Sequence, residues 1–320
     1  MNKIKCSRIY NMKSISFYLL CIFVTACGTD FKKPYSDTPT SGIVKITSDE
    51  TLQPLIDSEK DTFMGLYKYA QLNVSHKSES DCFQDFINDS SKVIIVSRKL
   101  NDKENDYFKS RKLIPITTKI ALDAIAIIVN KNNADSILSI KQLASILSGE
   151  KSNWSDLFPN SKLGKLSVVF DNNGSSNVRF LKDKLLSGNP LASNCFASQS
   201  NPAVIKYVEE NKNAIGIIGV SWISDFENKE SQNFLSKIKV LDLTTVENPI
   251  YPDDYYKPYQ AYIALSQYPL IREVYMINRE GRAGLGTGFV SFVAGDAGQR
   301  IVRIAGLLPT MMPVRLIKTE

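Results

Sequence analysis

The sequence predicts an α/β fold in which strands alternate with helices. The run Val93–Val96 is continuously apolar, as expected of a strand that is covered on both faces. Leu138, Leu143, Ile146 and Leu147 instead recur at the spacing of one helix face. Alternation of this kind along the chain is typical of layered α/β proteins with largely parallel sheets.

The predicted elements follow one another without a repeat of fixed period. The strands are expected at 43–46, 93–96, 121–129, 166–170 and 215–220. The helices are expected after Thr51, over 139–147, 177–186 and 202–210, and from about Phe289, while the polar stretch 225–236 is interpreted as a solvated surface excursion.

The N-terminus has the features of an export signal. Four basic residues precede a mostly apolar run, 15–24, that is too short to span a bilayer. The run ends in Val24-Thr25-Ala26-Cys27, which resembles a bacterial lipobox. We therefore expect a signal peptide over 1–26, acylation of Cys27 and a flexible tether over 27–41, with the mature chain outside the cytoplasm and anchored to a membrane by lipid.

The composition excludes several classes of protein. Loss of residues 1–26 lowers the formal net charge from +6 to +2, so no nucleic-acid partner is indicated. The mature chain keeps Cys82 and Cys195 beside Cys27; a disulfide is allowed, but two buried free thiols are favoured. One histidine and no CxxC pair predict no metal site. About 290 residues suffice for two lobes.

Three turns could bind an anion, because each places small or hydroxyl residues where a strand gives way to a helix. Unpaired amides and the helix dipole favour a negative guest there. Each turn alone is better explained by ordinary helix capping, and Arg98 is explained equally well by a structural salt bridge, but three such turns in one chain favour an anion site. The candidate ligand-binding residues are Ser48, Asp49, Glu50 and Thr51 in the first turn, Ser97 and Arg98 in the second, and Gly174, Ser175 and Ser176 in the third.

The chain resembles the phosphate-binding component of bacterial ABC-type phosphate importers, in a lipoprotein branch of that family. No single motif carries the resemblance, which depends on the order of several. The matching segments are 42–55, 96–100, 120–130, Gly149 with Asn153-Trp154, 171–176, Tyr268-Pro269-Leu270, Gly298-Gln299 and 306–309.

The resemblance implies a two-lobed periplasmic-binding-protein type II fold. Each lobe would be a mostly parallel sheet flanked by helices, with lobe 1 formed by 42–119 and 251–320 and lobe 2 by 120–250. It also implies that the protein buries inorganic phosphate between the lobes and delivers it to a membrane permease. The protein is expected to be a monomer and to need no cofactor.

The chain departs from the family pattern at two positions. Phe170 stands where the family's second-lobe loop carries an arginine, and Arg98 stands where an aspartate accepts the ligand proton. Arg98 is therefore expected to clamp the anion. The remaining candidates for the proton acceptor are Asp49, Glu50, Asp123 and Asp171. Asp123 is preferred among them, and its alternative role is to cap the hinge. The departures leave open another tetrahedral oxyanion or a phosphorylated small molecule.

Catalysis is not expected, because the chain has neither a GxxxxGK[ST] loop nor a G-x-S-x-G elbow, and His76 is its only histidine. The alternative to transport is a surface or sensory lipoprotein of the same fold that binds another oxyanion or a protein partner.

Overall fold

The computed structural model describes residues 37–246 and 254–311. The predicted signal peptide and Cys27 lie outside the described residues. The end of the predicted tether, 37–41, is part of the fold: Asp37 accepts hydrogen bonds from the Leu285 amide at 3.0 Å and from Arg282 at 2.9 Å. A Cβ on Gly288 would lie 1.8 Å from the Pro39 carbonyl oxygen, so this segment packs tightly. Residues 37–41 of the predicted tether are therefore packed against the fold.

Ten strands of the described residues form one mixed sheet, and the other two form a short parallel pair, β5 with β10. The strands are β1 (Ser41–Asp49), β2 (Tyr69–Lys77), β3 (Val93–Val96), β4 (Ile116–Asn130), β5 (Ile137–Ser139), β6 (Ser167–Phe170), β7 (Cys195–Ala197), β8 (Ala214–Gly219), β9 (Ile238–Val240), β10 (Asp242–Thr244), β11 (Ile271–Asn278) and β12 (Leu308–Pro309).

The long strand β4 joins two halves of the sheet, whose main order is β2-β1-β3-β11-β4-β8-β6-β7. Residues 116–124 of β4 pair with β11, and residues 125–129 pair with β8. We call β2, β1, β3 and β11 the first half, and β8, β6 and β7 the second half. Parallel pairing holds for β1 with β2 and β3, and for β6 with β7 and β8, whereas β11 and β4 are antiparallel.

The five predicted helices are present among the ten α-helices of the described residues. Those after Thr51, over 139–147, 177–186 and 202–210, and near Phe289 are confirmed within a few residues. The α-helices of the described residues are α1 (Gln53–Leu66), α2 (Glu79–Ile87), α3 (Asp102–Ser110), α4 (Ile140–Leu147), α5 (Ser176–Leu185), α6 (Asn201–Glu210), α7 (Lys229–Lys237), α8 (Gln260–Ala264), α9 (Leu285–Ala294) and α10 (Asp296–Ile304).

The polar stretch 225–236 is more ordered than predicted, because α7 occupies its second part. Asn228 caps this helix by accepting hydrogen bonds from the amides of Glu230 and Ser231 at 2.8 and 3.4 Å. Phe234 and Leu235 then pack against the main core. Two apolar contacts and a cap are thus enough to hold a helix whose remaining residues are mostly polar.

One apolar core extends through both halves of the sheet. Cys82 and Cys195 are free thiols, as predicted, although only Cys82 is fully buried. Within 37–246 and 254–311, no helix has the length and hydropathy needed to cross a bilayer.

Glu59 is a buried acid on the inner face of α1, between Leu55 and Phe63, and neither carboxyl oxygen has a hydrogen-bond partner. Burial raises its pKa to about 9. The folded protein therefore holds this proton more tightly than the unfolded chain does. As the pH rises from the unfolded pKa towards 9, we expect Glu59 to reduce the free energy of unfolding by about 1.4 kcal/mol per pH unit.

Urea unfolding of Glu59→Gln from pH 5 to pH 8 tests this expectation. The variant should lose less stability with rising pH than the wild type, because the neutral amide has no proton to lose. Asp61→Asn, at an exposed position of the same helix, is the control and should follow the wild-type profile. Parallel profiles for Glu59→Gln and the wild type would contradict the interpretation.

Candidate functional site

The candidate site lies where β4 crosses between the two halves of the sheet. The parallel strands β1 and β3 of the first half, and β6 and β8 of the second, end in loops near this crossing. Asp123 of β4 and Arg272 of β11 are direct cross-strand partners at the same place. Strand ends at a change of direction in an α/β sheet are the usual position of a ligand site.

Arg272 is the centre of the site and is almost completely buried. Its Nη2 lies 2.6 Å from Asp123 Oδ2, and its Nε donates to the same oxygen at 2.8 Å. Nη1 donates to Ser176 Oγ at 2.8 Å and to Asn177 Oδ1 at 2.9 Å, while Nη2 donates to Thr51 Oγ1 at 3.1 Å. The guanidinium therefore makes four hydrogen bonds and one further close ionic contact, with partners drawn from both halves.

Charge complementarity explains why an arginine is tolerated in this buried position. Burial opposes its charge, but Asp123 and Asp49 outweigh that effect and raise the pKa of Arg272. Asp123 is completely buried, and its Oδ1 has no hydrogen-bond partner. The ion pair thus leaves one acidic oxygen unused beside the guanidinium.

The first predicted turn lies against Arg272. Asp49 Oδ1 accepts a hydrogen bond from the Thr51 amide at 3.1 Å, which caps a short 3-10 turn. Asp49 Oδ2 is buried without a partner. The hydroxyl of Ser48, which is also buried, donates to the Asp49 carbonyl oxygen at 3.2 Å. Glu50 accepts hydrogen bonds from the Asn201 amide at 3.1 Å and from its side chain, and so reaches the second half.

The third predicted turn supplies the second-half contacts. Ser175 caps α5 by accepting the Asn177 amide at 3.0 Å. Ser176 Oγ lies 3.2 Å from Thr51 Oγ1, so hydroxyls from the two halves meet beside Arg272. The carbonyl of Gly174 accepts the Ser80 amide at 3.2 Å. A Cβ at Gly174 would lie 2.1 Å from Ser80 Oγ, which explains why glycine occupies this close approach.

Ser97 belongs to a second contact between the halves. Its amide and hydroxyl both donate to Glu79 Oε1 at 2.9 Å. Arg179 of α5 pairs with Glu79 through Nε and donates to Ser97 Oγ at 2.8 Å. Burial would raise the pKa of Glu79, but Arg179 and Ser97 lower it below its ordinary value. The carboxylate is therefore ionised and ties α2 to α5.

Arg98 lies away from the cluster around Arg272. Its two terminal nitrogens each donate to one Glu104 oxygen at 2.8 Å, and its guanidinium carbon lies 3.4 Å from the Phe83 ring centroid. Glu104 is also the capping-box residue of α3. Arg98 therefore forms a structural salt bridge at the rim of the site. This was the alternative role that the sequence left open.

A cavity of about 280 Å³ lies between the halves, next to these contacts. Arg98, Arg179 and Lys182 line it together with Glu79 and Asp183. Gly174 and Ser175 of the third turn also face this cavity. Eight of the ten predicted residues therefore fall into two groups, with Asp49, Thr51, Asp123 and Ser176 around Arg272, and Ser97, Arg98, Gly174 and Ser175 nearer the cavity. The other two, Ser48 and Glu50, bond to the Asp49 carbonyl and to Asn201.

Sequence reasoning missed Arg272, Asn177, Glu79 and Arg179. Arg272 had a detectable signal, because it alternates with Leu270 and Val274, which are both buried. A charged residue in phase with buried neighbours of a strand predicts an internal ion pair. The pairing of Glu79 with Arg179, 100 positions apart, had no comparable local signal.

Comparison with known proteins identifies the family. The PBP superfamily domain matches residues 33–297 of the chain. The chain belongs to the PBP superfamily. Solved structures agree with the periplasmic-binding-protein type II fold: a putative phosphate ABC transporter substrate-binding protein from Clostridium perfringens, with bound phosphate, has a TM-score of 0.69 at 21% identity and covers 84% of this chain and 100% of that one.

Other proteins that are similar to this chain are also phosphate-binding proteins by name. An ABC-type phosphate transport receptor from Vibrio cholerae has a TM-score of 0.61 at 18% identity, covering 84% of this chain and 100% of that one. The phosphate-binding protein PstS of Staphylococcus epidermidis is 23% identical over 223 residues, which are 69% of this chain and 66% of that protein. PstS 2 of Streptococcus agalactiae is 30% identical over 128 residues, 40% of this chain and 42% of that protein.

The Arg272–Asp123 pair should dominate the stability of the crossing. We expect Arg272→Met to lower the free energy of unfolding by about 3–5 kcal/mol, because it leaves Asp123 buried without a cation. The double variant Arg272→Met/Asp123→Leu removes both charges and should recover a large part of the loss. Urea unfolding of both variants measures this coupling. A double variant no more stable than the single one would show that the charge of Asp123 is not the cause.

Proposed function

We propose that this chain is an extracytoplasmic binding protein that captures inorganic phosphate between its two halves for an ABC-type importer. The observation that carries the proposal is the convergence on Arg272 of hydroxyls from both halves, Thr51 from the first and Ser176 from the second. A buried guanidinium with adjustable hydroxyls is suited to a tetrahedral oxyanion, since it supplies charge and donors together.

The present contacts of Arg272 suggest how an anion would enter. The Thr51 and Ser176 hydroxyls accept from the guanidinium, but a hydroxyl can rotate and donate instead. An oxyanion inserted here would take the place of these neutral acceptors and receive hydrogen bonds from the same three side chains. Asp123 would keep its bond to Nε, because its strand pairs directly with that of Arg272.

Two buried oxygens could accept a ligand proton. Asp123 Oδ1, on the side chain preferred from the sequence, and Asp49 Oδ2 both have no partner. The other two candidates differ, since Glu50 already accepts two hydrogen bonds from Asn201, and the amide nitrogens of Asn172 and Asn177 lie near Asp171 at 3.4 and 3.5 Å. A proton acceptor at this position favours phosphate over a fully ionised oxyanion.

Contacts between the halves would hold the anion in place. They include the pairing of Glu79 with Arg179, and the Ser221 hydroxyl that donates to the Thr51 carbonyl at 2.8 Å. Gly219 permits close approach, since a Cβ there would lie 2.7 Å from the same carbonyl oxygen. Separating the halves would break these bonds, and a ligand that bridges the halves would favour their formation.

The remaining parts of the proposal follow from the family and the sequence. The protein would act as a monomer outside the cytoplasm, be anchored through Cys27, and deliver its ligand to a membrane permease. It would bind phosphate without transforming it. The lobes would be 42–119 with 251–320, and 120–250, and the crossing of β4 would be the hinge between them.

One observation favours a second candidate, a surface or sensory lipoprotein without a small ligand. Each nitrogen of the Arg272 guanidinium already donates to a protein acceptor, so the crossing is self-sufficient as a structural element. Thermal unfolding with and without phosphate or sulfate separates the two candidates, because tight binding raises the melting temperature by mass action. No shift with any oxyanion would favour the second candidate.

Ser176→Ala tests the position of the proposed phosphate site. We expect it to weaken phosphate binding about tenfold or more, because a hydrogen bond to a charged group contributes about 1.5–3 kcal/mol. Isothermal titration calorimetry measures the change in Kd. Arg98→Ala is the matched comparison and should change the Kd little, since Arg98 is engaged by Glu104. The reverse ranking of the two variants would move the site to the rim cavity.

A further inference from the structure

The buried charges around Arg272 do not balance. Asp123 is paired with Arg272, and Glu79 with Arg179. Among the described residues, the three remaining carboxyl groups close to the site have no cationic partner in a salt bridge. These groups belong to Asp49, Glu50 and Asp171, and the first and last are completely buried. The site is therefore richer in acids than a cleft for a doubly charged anion would be expected to be.

Of these three acids, Asp49 is the one whose surroundings most disfavour a negative charge. It is faced by Glu79 of α2, by Asp171 of the loop before α5 and by Arg272 of β11, and the Ser176 hydroxyl lowers its pKa. Lys77, its register neighbour on β2, pairs instead with Asp85. The Cys82 thiol of α2 also lies within its field, and burial raises the pKa of that thiol well above its ordinary value, so it is neutral. One carboxyl oxygen accepts the Thr51 amide, and the other has no partner.

The Asp49 carboxyl therefore lies beside the same donor groups that a bound anion would need. It receives the Thr51 amide at the start of a helical segment and lies in the field of the Arg272 guanidinium, so it adjoins both Arg272 and Thr51 of the proposed phosphate site. A second anion beside an ionised Asp49 would place like charges together in a water-poor space, which is strongly unfavourable. A proton on Asp49 or on the ligand removes one of those charges.

We propose that Asp49 makes anion capture by this chain proton-linked, so that the site accepts a singly charged oxyanion, or a doubly charged one only together with a proton. This inference rests on the proposed phosphate site and specifies the charge of the ligand it accepts. Its consequence is that affinity rises as the medium becomes more acidic.

Glu50 and Asp171 are less suited to this role. Both oxygens of Glu50 accept hydrogen bonds from Asn201, which links it to the second half rather than to Arg272. Asp171 has amide side chains near both of its oxygens. Asp49 alone of the three combines an unpartnered oxygen with direct contact to the Thr51 turn. Burial and the neighbouring Glu79 raise the pKa of Asp49 to about 7, and burial raises the pKa of Glu50 to about 7 as well, so the unpartnered oxygen rather than the pKa distinguishes Asp49.

Calorimetric titration of the full mature chain with inorganic phosphate tests the linkage. Titrations at pH 5.5 to 8.5, in two buffers of different ionisation enthalpy, give the protons taken up per phosphate bound. At pH 8.5 we expect the wild type to take up about one proton more than Asp49→Asn. Between pH 7 and pH 8.5, its affinity relative to that variant should fall by up to about tenfold per pH unit.

Asp49→Asn keeps the shape of the side chain and the acceptor for the Thr51 amide, and it replaces the titratable oxygen by an amide NH2 group that does not titrate. Since the protonation of free phosphate is common to both proteins, the difference between them isolates the carboxyl group. Asp61→Asn, on the exposed face of α1, controls for a change of net charge and should follow the wild type.

The outcomes are distinguishable. Equal proton uptake and parallel affinity profiles for the wild type and Asp49→Asn would overturn the role of Asp49. If that variant did not fold, zero proton uptake by the wild type at pH 8.5 would overturn the proposal by itself. Absence of phosphate binding by the wild type at every pH would instead refute the proposed phosphate site.

Discussion

The pairing of Arg272 with Asp123 is the constraint on which the rest of the site depends. A buried guanidinium needs acceptors for five N–H groups, and one carboxylate cannot supply them all. The chain meets this demand with Thr51 from one half of the sheet, and with Ser176 and Asn177 from the other. The first turn and the start of α5 must therefore approach the same point, which places two distant loops at the crossing of β4.

These contacts differ in how they would respond to movement of the halves. Asp123 and Arg272 lie on directly paired strands, so their bond is internal to the sheet and would survive a rotation about the crossing. The bonds from Arg272 to Ser176 and Asn177 reach the N-terminus of α5, which is attached to the second half through β6. Arg272 would thus remain fixed by Asp123 while its other acceptors are exchangeable, which is a suitable arrangement for a site that exchanges ligands.

Periodicity predicted the elements well, because burial of a strand or helix face leaves a local pattern, as in Val93–Val96 and α4. It predicted the loops of the site for the same reason, since they follow those elements directly. It could not predict which arginine lies at the centre. Arg98 and Arg272 both adjoin strand ends, and what separates them is a partner: Glu104, six positions from Arg98, and Asp123, 149 positions from Arg272.

The distribution of arginines also explains why the acids of the site matter. Arg98 is neutralised by Glu104 and Arg179 by Glu79, which leaves Arg272 as the central cation, itself shared with Asp123. The carboxyl groups that stabilise the buried guanidinium thus also reduce the net positive charge available to an anion. Binding strength at such a site depends less on net charge than on hydroxyl and amide donors, and on which carboxyl groups carry a proton. Asp49 caps the Thr51 turn and lies in the field of Arg272, so its protonation state would alter this balance.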